Sequence, residues 1–317
     1  MLKTYRIEQG KVVEAPDALG PIMLFVQPND EEKARLTNQY GINPHNLASA
    51  LDPNELPRLE IEDDHLAMIF KHPKCYTAAD NFQFHIHSMG LFLFKDALVI
   101  LAPSEFAELQ GRSFSKVQNI QMVMLRILSV CIAHFVSHLQ VINDISDELE
   151  GKILKSMENR HLLLMFTIEK SLVYYVNAIS ANGRVVERLK ANAKNSQTAG
   201  LSPEMLEFVD DLAIENAQCL EQAQVYANVF TGLMDARASI VNNNLNVLMK
   251  RLTVINVVFM PLNVLASIGG MSEFSMMTKD IPWPISYSLF TLALTVIGAA
   301  TYFILAYVEK KTFGGSK

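Results

Sequence analysis

Cysteine is scarce and scattered: Cys75, Cys131 and Cys219 are the only three, and no two stand at CxxC spacing. That leaves no disulfide framework and no thiolate zinc cluster, and it fits a reducing compartment. No GxGxxG fingerprint, phosphate-cradling P-loop or nucleophile elbow occurs, so nothing supports catalysis. The chain is therefore expected to be no enzyme and to carry no organic cofactor. Nor is there an excess of positive charge: 27 Lys and Arg against 33 Asp and Glu leave a formal charge of −6, which argues against a nucleic-acid partner. The opening MLKTYRIEQGKVVEA holds neither an apolar signal core nor an Arg-rich amphipathic stretch, so the N-terminus is expected to stay where it is made.

Charge is also missing from two long runs near the C-terminus, which raise the mean hydropathy to +0.17. From Leu252 to Met271 the twenty residues LTVINVVFMPLNVLASIGGM contain none, and a helix needs about twenty to cross roughly 30 Å of hydrocarbon. A second uncharged run spans Ile281 to Val308, with Pro282 and Pro284 at its mouth beside the interfacial residues Trp283 and Tyr287. A hairpin buried in a soluble core is the other reading of two apolar runs. The flanks favour membrane spans: Lys250 and Arg251 precede the first run, Lys310 and Lys311 follow the second, and the loop SEFSMMTKD between them has only Lys279. By the positive-inside rule both chain ends are then cytoplasmic and membrane lipid is a partner. Two helices cannot enclose a water-filled path, so transport would need several copies around one axis.

Proline is absent between Pro203 and Pro261. Ser202 suits an N-cap, Pro203 the first helical position and Glu204 the helix dipole, so a helix is expected from Pro203. Apolar positions recur from Met205 to Leu248 at helical spacing, and nothing separates them from the first apolar run. One continuous stalk entering the bilayer, about 100 Å long, is the simplest reading. Upstream, residues 115–192 read as two long helices with a tip at the acidic NDISDELEGK, where apolar periodicity fades and Gly151 stands. Short, β-branched or aromatic stretches (TYRIEQGKVVEA, PIMLFVQ, HLAMIFK, FQFHIHSMGLFLF, ALVILAP) mark strands before that, with helical EEKARLTNQYG, ending at Gly41, and PHNLASALD between them.

The stretch NVLMKRLTVINVVFMPLNVLASIGGM, with its MKxLT step and MPL turn, resembles the junction of stalk and first membrane helix in the CorA family. LTNQYGINPHNLASALDPNELPRLEIEDDHLAMIF is similar to that family's N-terminal pattern, so the resemblance runs over nearly the whole chain. It implies an α+β cytoplasmic domain with a long helical hairpin and stalk helix, plus a two-helix transmembrane region, assembled as a funnel-shaped homopentamer in a bacterial inner membrane. The expected divisions are residues 1–112 (α/β), 113–198 (hairpin), 202–251 (stalk), 252–271 (first membrane helix, lining the pore), 272–280 (periplasmic loop), 281–308 (second membrane helix) and 309–317 (tail). The family's Gly-Met-Asn signature stands here as Gly270, Met271 and Ser272, and its preceding tyrosine as Gly269. A divalent-cation channel is implied, for magnesium or for zinc, cobalt or nickel, with altered selectivity. A membrane-anchored scaffold that kept the architecture without conducting is the alternative.

Residue arithmetic points the same way. At 100° per residue, Asn246, Met249, Thr253, Asn256, Met260, Asn263 and Ser267 fall within about 100° of one face. Three asparagines on one stripe of a membrane helix are costly unless they face water or hydrogen-bond to other helices. On the family's pattern Met249, Leu252 and Met260 stand at the hydrophobic gate and Asn263 replaces a pore threonine, while Glu273 offers a carboxylate beside Ser272. Extending the resemblance along the stalk places Asp211 on an aspartate that binds regulatory divalent ions between subunits, with a partner near Asp80. The plain alternative is that Asp210 and Asp211 solvate the stalk and favour its dipole. Two histidine pairs, His134 with His138 on a helix and His85 with His87 on a strand, lack the companions that a tetrahedral metal site needs. The acidic run Glu60, Glu62, Asp63 and Asp64 reads as a solvated strand edge.

Overall fold

The computed structural model describes residues 1–15, 20–74, 83–103, 109, 111–153, 159–193 and 201–313. Its contacts divide the chain into two units, Met1–Met234 and Asp235–Lys317.

In the first unit, strands β1 (Leu2–Glu8), β2 (Lys11–Glu14), β3 (Ile22–Val26), β4 (Arg58–Ile61), β5 (His65–Pro73), β6 (Ile86–Phe94) and β7 (Leu98–Ala102) form one sheet in the order β2-β1-β3-β7-β6-β5-β4. Neighbours are antiparallel except β3 with β7. The stretch TYRIEQGKVVEA is a hairpin because Gln9 and Gly10 take positive φ (48° and 75°), which twists a two-residue turn to match its strands. β3, β5 and β7 are buried at every position, and their side chains alternate between two cores. Leu66, Met68 and Phe70 join one core, Ala67 and Ile69 the other. A strand covered on both faces reads as a continuous apolar run rather than an alternating one.

Helices α1 (Asp30–Tyr40) and α2 (Pro44–Leu51) cover the smaller core. A capping box between Asn29 and Glu32 opens α1 and Gly41, at φ 66°, closes it. The opposite face carries α3 (Ile120–Ile153), α4 (Asn159–Ala193) and the first part of α5 (Pro203–Gly269). β4 ends its pairing at Arg58↔Ile69, which leaves the Lys71 backbone open on that side. The Asn182 carboxamide of α4 replaces the missing strand, accepting from Lys71 N at 2.9 Å and donating to Lys71 O at 2.8 Å. α5 opens with Ser202 Oγ accepting from Met205 N at 3.3 Å, in keeping with the cap read from sequence. The helix continues unbroken through Gly232, Asn242, Asn243, Asn244 and Pro261.

Two local expectations change. α3 runs through Gly151 to Ile153, so the acidic NDISDELEGK stays helical: fading apolar periodicity there marks a more polar stretch of helix rather than a tip. The segment between the apolar runs contains a short helix, α6 (Ser272–Met277), since six residues without Gly or Pro, with Glu273 in the first turn, meet no breaker.

The second unit holds the rest of α5, then α6 and α7 (Trp283–Phe313). By length and composition α3, α5 and α7 are each apolar enough to cross a membrane. In α3 half of the apolar window is buried inside the chain, whereas in α5 and α7 none of it is. An exposed apolar surface of that extent requires lipid or protein to cover it.

Candidate functional site: the polar stripe of α5 and its outer end

Between Lys250 and Gly269 the partly covered positions of α5 are Val254, Val258, Pro261, Leu262, Leu265 and Gly269, which share one helical face. On α7 the matching set is Ser286, Phe290, Leu294, Gly298, Thr301 and Leu305. The two faces meet small against large. A Cβ on Gly298 would stand 3.2 Å from Leu262 Cδ1, and one on Gly269 would stand 2.4 Å from Phe290 Cζ. Close packing through glycine is a common way for apolar helices to associate without a hydrophobic driving force.

That contact fixes the phase of α5. The mean direction of Asn246, Met249, Thr253, Asn256, Met260, Asn263 and Ser267 lies about 160° from the α7-facing positions, and all seven are exposed. Met249 is 63% exposed, Leu252 56% and Met260 72%. The stripe hydroxyls turn inward to their own helix: Thr253 Oγ1 donates to Met249 O and Ser267 Oγ to Asn263 O, both at 2.8 Å. The carboxamides of Asn246, Asn256 and Asn263 have no hydrogen-bond partner among the described residues. A single chain thus presents a row of unsatisfied amides amid apolar surface. Pro261, with no N–H to give, also frees the carbonyl of Val257 inside the same segment.

At the outer end, Gly270 N donates to Ala266 O and Ser267 O, and Met271 then serves as the N-cap residue of α6. Gly270, Met271, Ser272 and Glu273 therefore make the corner between two helices. Ser272 Oγ donates to Glu273 Oε2 at 3.1 Å, so the structure brings together the two groups that sequence reading offered as alternative ion contacts. Sequence reading missed Phe290. Its ring lies against Gly269 and 5.1 Å from the Phe274 ring, filling space beside the position where the family pattern has a tyrosine.

The remaining sequence-derived residues lie in the first unit. Asp211 is exposed on α5, one turn before Glu215. Partial burial, with the Asp211 charge second, raises the Glu215 carboxyl, and Arg126 opposes the rise. Asp210 is no merely solvated side chain: Lys190 Nζ of α4 bonds it at 3.0 Å. Asp80 falls outside the described residues. Among the described residues no three His, Cys, Asp or Glu gather closely enough to hold a metal ion.

One of the two sequence pairs of histidines comes together, and in the other His87 meets His72 of β5 while His85 lies before β6. His134 and His138 stack edge-on at 4.5 Å, His72 and His87 do so at 5.9 Å, and His138 Nδ1 meets the Tyr175 hydroxyl at 2.7 Å. Burial is the main cause that pushes His72 and His138 down to about 4, while burial raises Tyr175. Tyr175 therefore shares a hydrogen bond with a neutral imidazole, whose tautomer sets which group donates. The acidic strand edge is tied too: Glu60 accepts from Arg58 Nε at 2.8 Å and from Asn46 Nδ2 at 2.9 Å. Burial also raises the thiols of Cys131 and Cys219, the latter to about 12, which makes both poor nucleophiles.

The model of a family described as CorA-like Mg2+ transporter protein matches residues 23–311. A cobalt/magnesium transport protein CorA of Methanocaldococcus jannaschii is 26% identical over 255 residues, 77% of each chain. The protein of the same name in Thermotoga maritima is 22% identical over 286 residues, 87% of this chain and 78% of that one. In fold, the complete structure of the CorA magnesium transporter from Methanocaldococcus jannaschii superposes with a TM-score of 0.76 at 21% identity, over 96% of both chains. The full-length CmaX protein gives 0.71 at 13% identity, over 98% of this chain and 97% of its own. The chain belongs to the family of CorA-like Mg2+ transporter proteins.

Proposed function

We propose that this protein is a divalent-cation channel of a bacterial inner membrane. Five copies form a funnel, α5 of each lines a common path, and both chain ends lie in the cytoplasm. The observation that carries this reading is the phase of α5. α7 packs on one face, and the opposite face keeps three unsatisfied carboxamides inside an otherwise apolar segment. Repeating that face around an axis gives the amides water and each other, which removes the cost of holding them in hydrocarbon. Met249, Leu252 and Met260, exposed on or beside the same face, would then form apolar constrictions that hold the resting path shut by dewetting.

The relatives named above are cobalt/magnesium transport proteins, which supports magnesium or cobalt as the cargo here, with zinc and nickel as further divalent candidates. The outer corner differs from the family pattern. A serine hydroxyl has a shorter arm and fewer hydrogen-bonding groups than a carboxamide, so five copies of Ser272 make a wider ring. Glu273, held by Ser272, adds carboxylates at its rim. Discrimination among divalent ions is accordingly looser here. In the cytoplasm, Asp211 of one subunit and Asp80 of the next would share a regulatory ion that closes the channel.

A non-conducting scaffold is the second reading, favoured by the Gly270-Met271-Ser272 divergence alone. Flux separates the two. The purified full chain in liposomes loaded with a fluorescent divalent-ion reporter should pass magnesium and cobalt faster than protein-free vesicles. Flux equal to that of the empty vesicles for every divalent ion would leave the scaffold.

A further inference from the structure

We propose that the groove between α5 and α7 at the basic end of the first apolar run binds an anionic phospholipid, with its headgroup phosphate on Arg251. The groove has a volume of about 540 Å³ and is lined by Val247, Lys250, Arg251, Val254, Ile255 and Tyr302, together with Ala306. This inference rests on α5 and α7 spanning a membrane, as proposed above.

Position, composition and phase carry it. Arg251 is the last charged residue before the uncharged run that begins at Leu252, so the groove straddles the level where lipid headgroups meet acyl chains. Two basic side chains stand at one end of the lining, and Val254 and Ile255 of α5, with Tyr302 of α7, continue it deeper. That is the sequence of chemistries along a phospholipid: an anion, polar ester groups and hydrocarbon. Arg251 is exposed and forms no ion pair with any described residue, and its planar donor fork matches phosphate geometry better than a lysine would. On the helical wheel the mean direction of the α5 lining lies about 160° from the asparagine stripe. The groove therefore faces away from the face assigned to the ion path, toward the side where lipid would lie.

Free phosphate offers the same anion without the chains. The apolar half of the lining favours the lipid. The test uses the full chain in detergent micelles, titrated with phosphatidylglycerol or phosphatidylcholine of identical acyl chains, with bound lipid counted by native mass spectrometry. Phosphatidylglycerol should bind about fivefold more tightly, the effect of one basic side chain near an anionic headgroup. Arg251→Gln should abolish that preference, Arg251→Lys should keep part of it, and millimolar inorganic phosphate should leave it unchanged. Equal binding of the two lipids by the wild type overturns the proposal without needing any variant to fold. So does a preference that survives Arg251→Gln, or one that inorganic phosphate removes. Retention of neither lipid would overturn it as well, while the membrane-spanning reading stands or falls separately on divalent flux through the reconstituted full chain.

Discussion

Ser272 and Glu273 show how a small change at one residue propagates through its neighbour. With a hydroxyl at position 272, the carboxylate of Glu273 is held at the corner by a bond that an asparagine would make from a longer arm. Ser272→Asn is expected to sharpen discrimination of magnesium from cobalt in reporter-loaded vesicles, and Glu273→Gln to lower the flux of both. If neither changes relative permeability or flux, ion capture lies elsewhere. His72 offers a test of the cytoplasmic core. It is buried beside His87 and His134, with Lys71 next in the chain, and its pKa falls from 6.5 to about 4. A depressed folded-state value means that stability is intact above pH 6.5 and drains away as pH falls toward 4. Between pH 7.5 and 5 the loss is on the order of 2 kcal/mol. Near-ultraviolet circular dichroism melts of the full chain should show this loss in the wild type and a flatter profile in His72→Gln. Parallel profiles would remove His72 as its source. Sequence spacing gave the histidine pairs their shared faces, but it could not bring β5 and β6 against α3, because those contacts depend on tertiary packing.

At the level of elements, legibility followed the physics of each segment. Most strands and the helix ends at Gly41, Ser202 and Pro203 were readable, since those residues act locally, whereas the Asn29 cap and β4 were not read. The length of α3 and the presence of α6 were not, because charge-rich helix and polar loop share a composition. In α5 and α7 apolar residues surround the whole helix, so hydropathy finds the runs but not which face meets which. The two glycine contacts supply that phase. Gly269→Ala would bring a methyl within 2.4–3.1 Å of three Phe290 ring atoms, and overpacking of this kind costs roughly 1–3 kcal/mol. The variant should melt several degrees lower in detergent, and Phe290→Ala in the same chain should restore part of the loss. If the double variant is no more stable than Gly269→Ala alone, the ring is not what confines this position.

For the molecule as a whole, family membership makes this a membrane protein of divalent-ion transport, while the shared path is our proposal and rests on α5. Of the candidate site, the asparagine stripe was visible in sequence as periodicity. Its freedom from α7 was not, since that depends on how separate segments pack, nor was the bond between Ser272 and Glu273, which depends on the rotamers that two adjacent residues adopt at the corner. If the stripe lines the path, Met260→Ser wets one of its apolar rings and should raise resting magnesium flux. Unchanged resting flux would return Met260 to ordinary lipid or helix packing. Chemical access can be combined with transport in one assay. Cys131 and Cys219 are buried, so in a Cys75→Ser background a new cysteine on α5 should report its own surroundings. Asn263→Cys lies on the stripe and Leu265→Cys about 160° away on the α7 side. A membrane-impermeant thiol reagent added to vesicles should block divalent flux through the Asn263→Cys channel and leave the Leu265→Cys channel conducting. Block at Leu265→Cys with none at Asn263→Cys would contradict the assignment of the asparagine stripe to the ion path.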